Sequence, residues 1–325
     1  MNLLKKLLNK FNGLYYPQEY LCLSKESFQQ PLHVYLSDNM KLIKDITNSH
    51  LFNGYSPLIL ILFFSSIEDQ LLPDNIEIVF SHHTLDPNEI VKQKDAIGRL
   101  YLKLIRKQAA GDYSLGYYEG TKGQHHFLST FHHYIIRLKN NLYNKQIGNV
   151  FLEGNLYKQV QIAYAVPRII SLITVANGDL YNLFPTDLQG PVNEQFYSVS
   201  LRINGKACMQ VESAKRIVIS EMHSDAYKIV YSLGKNHMQE LKLKDNFSFS
   251  ESVSAILKLP LPKLALKYRE LELIESFEHG IHKLFLFKVI SHHIISDEKA
   301  TLAHIHNVYA TWRHNKGLEG NYLLR

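Results

Sequence analysis

Cysteine, tryptophan and long apolar runs are scarce in this sequence, and each shortage removes a class of protein. Cys22 and Cys208 are the two cysteines and stand far apart. Two such thiols make neither a disulfide framework nor a thiolate metal site, and they suit a reducing, cytoplasmic location. The most apolar run, PLILILFF at 57–64, is far too short to cross a bilayer, so no integral membrane segment is expected. The opening MNLLKKLLNKF breaks its apolar residues with lysines and lacks the continuous core of a secretory signal. It reads as a short amphipathic helix docked on the body or, alternatively, lying on a membrane surface. An excess of charge in one region is missing too. The net charge of +6 is divided evenly, with 16 basic and 13 acidic side chains in residues 1–150 and 20 and 17 in the rest. That balance argues against a dedicated nucleic-acid binder and leaves an anionic small ligand compatible.

The common catalytic signatures are also absent. There is no GxSxG, no GxGxxG opening a helix and no GxxxxGK[ST]. Flavins stay open, because they bind many folds without a fixed local signature. Histidine, by contrast, is abundant, with 17 residues and doublets at 82–83, 125–126, 132–133 and 292–293. A helical metal pair needs histidines four residues apart with a carboxylate nearby. The doublets offer neither, and His304 and His306 merely alternate along a strand, so these read as buried or surface imidazoles and no metal site is assigned.

What is present is material for a large core. The sequence is 46% hydrophobic and 20% charged over 325 residues, which suffices for two domains. LHVYLS (32–37), LILILFF (58–64) and IEIVFSHH (76–83) are β-rich runs. A long helix is predicted next, with Asp86 as N-cap, Pro87 as first residue and Glu89 as the capping-box carboxylate. Ile90, Ile97, Leu100, Leu104 and Ile105 mark its apolar face and Gly111 its stop. Gly111 to Gly123 reads as a glycine- and tyrosine-rich loop. A second helix follows, with Phe127 or Leu128, Phe131, Ile135, Leu138 and Leu142 on one stripe. Residues 1–150 therefore read as a mixed α/β domain.

Strands dominate after Gly148, at 167–175, 180–184, 196–202, 216–221, 266–275, 281–295 and 302–309, with a helix near 223–233. Asn177-Gly178 predicts a tight hairpin of type I′. This spacing suggests a β-barrel with helical insertions over residues 151–325, and an α+β class for the whole chain.

Four segments add detail: ITVANGDLYNLFPTDLQGPV (173–192), FYSVSLR (196–202), INGKACMQVESAKRIVISEM (203–222) and LPLPKLALKYRELELIESFEHGIHKLFLFKVI (259–290). The order of Pro167, Leu172, Thr174, Gly178, Asn182 and Pro185, then Lys206, the strand Ile217 to Ser220, and Gly280 with His282, resembles the flavin reductase-like family of FMN-binding split barrels. The resemblance covers roughly 155–315. It implies a split β-barrel holding FMN at a homodimer interface. The isoalloxazine would lie against Thr186, Asp187, Leu188 and Gln189, and the phosphate near Arg202, Lys206, Cys208 and Gln210. Hydride would pass from NAD(P)H to flavin or a second acceptor, with no protein acid or base named. A phosphate suits basic side chains and a helix N-terminus, such as the one after NGKAC.

The departures are specific. Cys208 replaces the family's threonine, Gln210-Val211 its Asn-Ile pair, and Ile281 the middle residue of its Gly-Asp-His turn. Asp187 brings a carboxylate where a phosphate or reduced flavin would disfavour it. These departures keep a non-catalytic split-barrel binding or interaction protein as the alternative, with another flat cofactor (haem or a deazaflavin) as a third reading. Residues 1–150 resemble no family and read either as a cover or dimerisation domain or as a lid over the ligand.

Overall fold

Strand-forming residues recur along the whole sequence, and sheets dominate the structure. The computed structural model describes residues 11–28, 32–38, 41–86, 90–91, 95–143, 150, 152–318 and 320–323. The amphipathic segment at the start lies almost entirely outside them. After β1 (Tyr20–Ser24) come β2 (His33–Asp38), β3 (Lys41–Asp45), β4 (His50–Tyr55), β5 (Leu58–Ser65), β6 (Asn75–Ser81), β7 (Gly98–Ala110) and β8 (Tyr113–His125). Strands β2 to β8 form one antiparallel sheet, ordered β3-β2-β6-β7-β8-β5-β4. The unbroken apolar run of β5 is buried from Leu58 to Phe64, as a strand covered on both faces requires.

The helix expected from Asp86 to Gly111 is corrected by β7. Ile97, Leu100 and Leu104 fit a helical spacing, but Leu100 and Leu102 also alternate with Tyr101 and Lys103. The period of two prevails because β6 and β8 pair with this segment on both edges. Ile90 makes an isolated bridge with Lys41, while Pro87 and Glu89 lie outside the described residues. The expected glycine-tyrosine loop is the partner strand β8, joined to β7 through Gly111-Asp112.

The glycines of β8 have a packing role. A Cβ on Gly123 would come within 3.0 Å of the backbone N and Cα of Gln159, and one on Gly120 within 2.1 Å of Gln159 Oε1. Their bare backbone lets a helix lie directly on the sheet. Asn155, just before that helix, donates from Nδ2 to the Gly123 carbonyl at 2.9 Å and accepts from its N–H at 2.5 Å.

The helix expected after Phe127 forms as α1 (Thr130–Tyr143), but its buried side differs from the predicted stripe. Ile136 is buried, whereas Phe131 and Leu138 are exposed. The helix on β8 is α2 (Leu156–Ala163).

There follow β9 (Arg168–Ile169), β10 (Ser171–Asn177), β11 (Leu180–Thr186), β12 (Gln189–Pro191), β13 (Phe196–Arg202), α3 (Lys206–Ala214), β14 (Arg216–Met222), α4 (Tyr227–Ser232) and β15 (Lys242–Leu243). The chain ends with β16 (Phe249–Val253), β17 (Pro260–Pro262), β18 (Ala265–His279), β19 (His282–Ile294), β20 (Leu302–His306), α5 (Asn307–Asn315) and β21 (Tyr322–Leu323). Eight strands form a second sheet, ordered β12-β13-β19-β18-β14-β10-β11-β15. Among the described residues no pairing joins β12 to β15, so the sheet is open and not a closed barrel.

Two local expectations shift. The β10–β11 loop is Gly178-Asp179, because Asn177 still pairs with Leu180. Only Gly178 of this loop has positive φ, 58°, the pattern of a type II′ turn instead of I′. The last predicted strand stops at His306, whose Nδ1 accepts from the Val308 N–H at 3.1 Å and caps α5.

The early and late parts of the chain share their cores. β1 pairs with β20, and Leu21, Val34, Val160, Ile305 and Tyr309 belong to one buried cluster. The two large sheets also pack face to face, with Ile59, Ile61 and Tyr117 against Leu284 and Leu286. No helix among the described residues is long and apolar enough to cross a membrane.

Candidate functional site

Strand β11 ends at Thr186, and β13 ends at Arg202 before Ile203-Asn204-Gly205 leads into α3. These strand ends line one cleft of about 350 Å³, formed by the Pro185–Leu188 and Ser200–Arg202 segments and by Gly205, Ala207 and Cys208 at the start of α3. His237, His282 and Tyr55 complete the wall. The volume is that of a small-molecule site, ~300–1,000 Å³.

Five of the eight residues singled out from the sequence meet here: Thr186, Asp187, Leu188, Arg202 and Cys208. The other three point to different work. Gln189 donates from Nε2 to the Ile169 carbonyl at 2.9 Å and to Ser171 Oγ at 3.1 Å, while its Oε1 accepts from the Tyr197 hydroxyl. It thereby ties β12 to the start of β10. Lys206 Nζ is paired with the exposed Glu240. Gln210 donates to the Gln239 carbonyl at 2.9 Å and accepts from Asn182 Nδ2 at 2.7 Å, which fastens α3 to β11.

Asp187 does not face the cleft as a free carboxylate. Its Oδ2 lies 2.7 Å from His304 Nδ1 and 3.0 Å from Arg168 Nη2. Burial alone would push this carboxyl up, but the Arg168 charge and the His304 hydrogen bond outweigh it and hold the group well below the usual carboxylate range. The Arg168 guanidinium therefore offsets the charge that a bound anion would otherwise oppose. Beyond His304 the network continues to the Tyr231 hydroxyl, which accepts from Cys22 Sγ at 2.9 Å.

The rest of the wall carries little negative charge. His282 is buried, with Nδ1 3.2 Å from Ser200 Oγ and Nε2 accepting from the Tyr55 N–H at 3.3 Å. Burial, assisted by the Arg202 charge, pushes its pKa down to about 4, so the ring is neutral at pH 7. His237 contacts the Pro185 carbonyl at 2.7 Å and is also lowered by burial. Burial raises the Cys208 thiol to about 11, so this cysteine stays a protonated, weakly donating thiol and not a nucleophilic thiolate. Arg202 Nε donates to the Tyr55 hydroxyl at the exposed edge.

Gly205, the N-cap of α3, carries no capping side chain; its carbonyl accepts from the Cys208 N–H at 3.1 Å, and the Lys206 and Ala207 N–H groups precede that first intrahelical bond. An anion at this end of the cleft would meet a guanidinium, backbone donors and the positive end of the helix dipole together.

Tyr55 and His237 escaped the sequence reading. Tyr55 reaches the cleft only because β4 packs beside β13, where Asn53 Nδ2 donates to Ser198 Oγ. No local pattern around either residue announces a site. Among the described residues, no three histidine, cysteine or acidic side chains stand close enough together to hold a metal ion.

No family model and no curated protein matches this sequence. About half of the chain is similar to solved flavin reductases and FMN-binding proteins. The NADH:FAD oxidoreductase of Streptomyces globisporus aligns over 50% of this chain and 96% of its own, at 11% identity and a TM-score of 0.41. The flavin reductase PheA2 aligns over 51% and 95%, at 14% identity and a TM-score of 0.38. An FMN-binding protein from Thermus thermophilus aligns over 42% and 79%, at 20% identity and a TM-score of 0.37.

Proposed function

We propose that the chain binds FMN in the cleft between β11, β13 and α3 and works as a flavin reductase-like oxidoreductase. One observation carries this reading. Of the residues assigned to the flavin ring, Thr186 to Gln189, the first three border the same cleft as Arg202 and Cys208, which are two of the four assigned to its phosphate with Lys206 and Gln210. In this reading residues 151–325 are the flavin unit, with the open eight-stranded sheet as its split barrel. Residues 1–150 are the covering unit, which contributes Tyr55.

The bound flavin would supply the redox chemistry, taking hydride from NAD(P)H and delivering it to a second acceptor. The chain's own residues would hold and shield it. Arg202 and the first turn of α3 would bind the phosphate, with Cys208 as a weak neutral donor in place of a hydroxyl. Leu188 and Pro185 would contact the ring, and Tyr55 would limit solvent on that side. The Arg168–Asp187–His304 cluster would keep the neighbouring carboxylate from repelling the cofactor. The same reading gives a cytoplasmic homodimer whose cleft is completed by a second copy; sedimentation at micromolar concentration tests that part.

A binding protein without turnover is the second reading. Lys206 and Gln210 are engaged elsewhere, and the phosphate segment lacks a hydroxyl side chain at Cys208. FMN titration separates a flavin site from no flavin site, and NAD(P)H consumption by the FMN-loaded protein separates turnover from binding alone.

A further inference from the structure

A second cleft of about 360 Å³ lies on the Gln189–Pro191 side of the same loop. Its walls come from both parts of the chain: Leu51 and Phe52 of β4, the Val166–Ile169 segment, and Gly190. Arg168 lines it and is only 7% exposed. Its guanidinium stacks on the Tyr164 ring and has Nη2 3.0 Å from Asp187 Oδ2, yet none of Nε, Nη1 and Nη2 makes a hydrogen bond among the described residues. The Asp187 contact is thus an ion pair without hydrogen-bond geometry, and Asp187 is shared with His304.

A guanidinium keeps its charge at any working pH, and its planar fork of donors matches a carboxylate in two parallel hydrogen bonds. A buried fork set only against a shared carboxylate oxygen and the Tyr164 side chain, with no well-formed hydrogen bond, is uncommon in folded proteins. Much of the remaining lining is apolar, with Phe28, Leu32, Leu51, Phe52, Val166 and Pro191, and the exposed Lys25 and Asn48 mark the way in. The acidic side chains in the wall, Asp187 and Glu221, disfavour a dianion, although Glu221 is itself answered by Lys267 at 3.0 Å and Arg269 at 3.2 Å.

We propose that this cleft binds a small organic monocarboxylate, its carboxylate on Arg168 and its apolar body against Leu51 and Phe52. The site stands on its own residues and does not require flavin in the neighbouring cleft.

The test is calorimetric titration of the full chain, without added flavin, with benzoate, phenylacetate and hexanoate, each against its amide, and with inorganic phosphate. At least one acid binds saturably and at least tenfold more tightly than its amide, and phosphate binds no better than the amides. Arg168→Gln weakens that acid at least tenfold, and Val166→Phe, which narrows the cleft without touching its charge, weakens it as well. If Arg168→Gln does not fold, the acid–amide difference and Val166→Phe still decide. Equal affinity for acid and amide, unchanged affinity in either folded variant, preference for phosphate, or no binding by any of the three acids overturns the proposal. A separate FMN titration reports on the other cleft, so failure there leaves this result standing.

Discussion

His304 Nδ1 and Asp187 Oδ2 meet at 2.7 Å, although 117 residues separate them. The contact ties the loop after β11 to β20, and through Tyr231 and Cys22 to α4 and β1. The floor between the two clefts is thereby fixed by four elements distant in sequence.

Asp187→Asn should expose the worth of this network. The wild-type carboxyl sits below the usual range: burial raises it, but Arg168 and His304 lower it more. A carboxyl whose folded pKa is depressed contributes stability that is complete above the unfolded value, about 4, and is lost as pH falls through the folded one. Removing one member of a buried pair costs about 3–5 kcal/mol. Urea unfolding should show a gap of that order between wild type and Asp187→Asn at pH 7, narrowing as pH falls below about 4. A gap independent of pH contradicts the ion-pair account.

Histidines set a second, higher acid limb. Burial is the largest effect on His82, His133 and His282, and each is pushed down to about 4. In the unfolded chain they protonate near pH 6.5. The unfolded state therefore binds more protons between these values, and stability falls as pH drops from about 6.5 to about 4. Denaturant melts at pH 7, 6 and 5 should show this loss. His282→Gln, which has no proton to gain, should lose less over the same interval. Equal slopes in wild type and variant would count against a buried, neutral His282.

Gly280 should be intolerant of any side chain. Its φ is +59°, and an added Cβ would come within 2.2 Å of Pro57 Cδ and 2.5 Å of the Ser56 carbonyl. Left-handed strain and overpacking together predict a loss of about 2–5 kcal/mol for Gly280→Ala. Gly154 is the matched control, with φ +57° and nothing within 4 Å of the added atom. Gly154→Ala should cost only the conformational strain, about 1–2 kcal/mol. Similar losses for both variants would mean that the β18–β19 turn does not press on Ser56-Pro57.

Much of the late half was legible because its strands carry clear period-two patterns and turn residues. The run 196–202 coincides with β13, and 216–221 with β14 to within one residue. β7 was misread because Leu100 and Leu104 fit both periods, and only pairing with β6 and β8 decides between them. β8 was misread because its glycines look like loop residues, when they make room for Gln159 and α2. The order of motifs also picks out Thr186, Asp187, Leu188, Arg202 and Cys208, which line one cleft. The ion pairing of Asp187 was not legible, since Arg168 and His304 reach it through tertiary packing alone. Lys206 looked equivalent to Arg202 in sequence, but Glu240 engages it in space.

That difference gives an ordered prediction for the cofactor. Removing Arg202 should weaken FMN by about tenfold or more, the effect of losing roughly 1.4 kcal/mol. Removing Lys206 should weaken it less, because its ammonium is already paired at a surface where such pairs contribute about 0–1 kcal/mol.

Titration of the purified chain with FMN, followed by flavin fluorescence, tests the central claim most directly. Saturable binding, reduced most by Arg202→Ala and less by Lys206→Ala, is the predicted result. A colourless protein that leaves FMN fluorescence unchanged, or binding indifferent to Arg202, would contradict a flavin site between β11, β13 and α3.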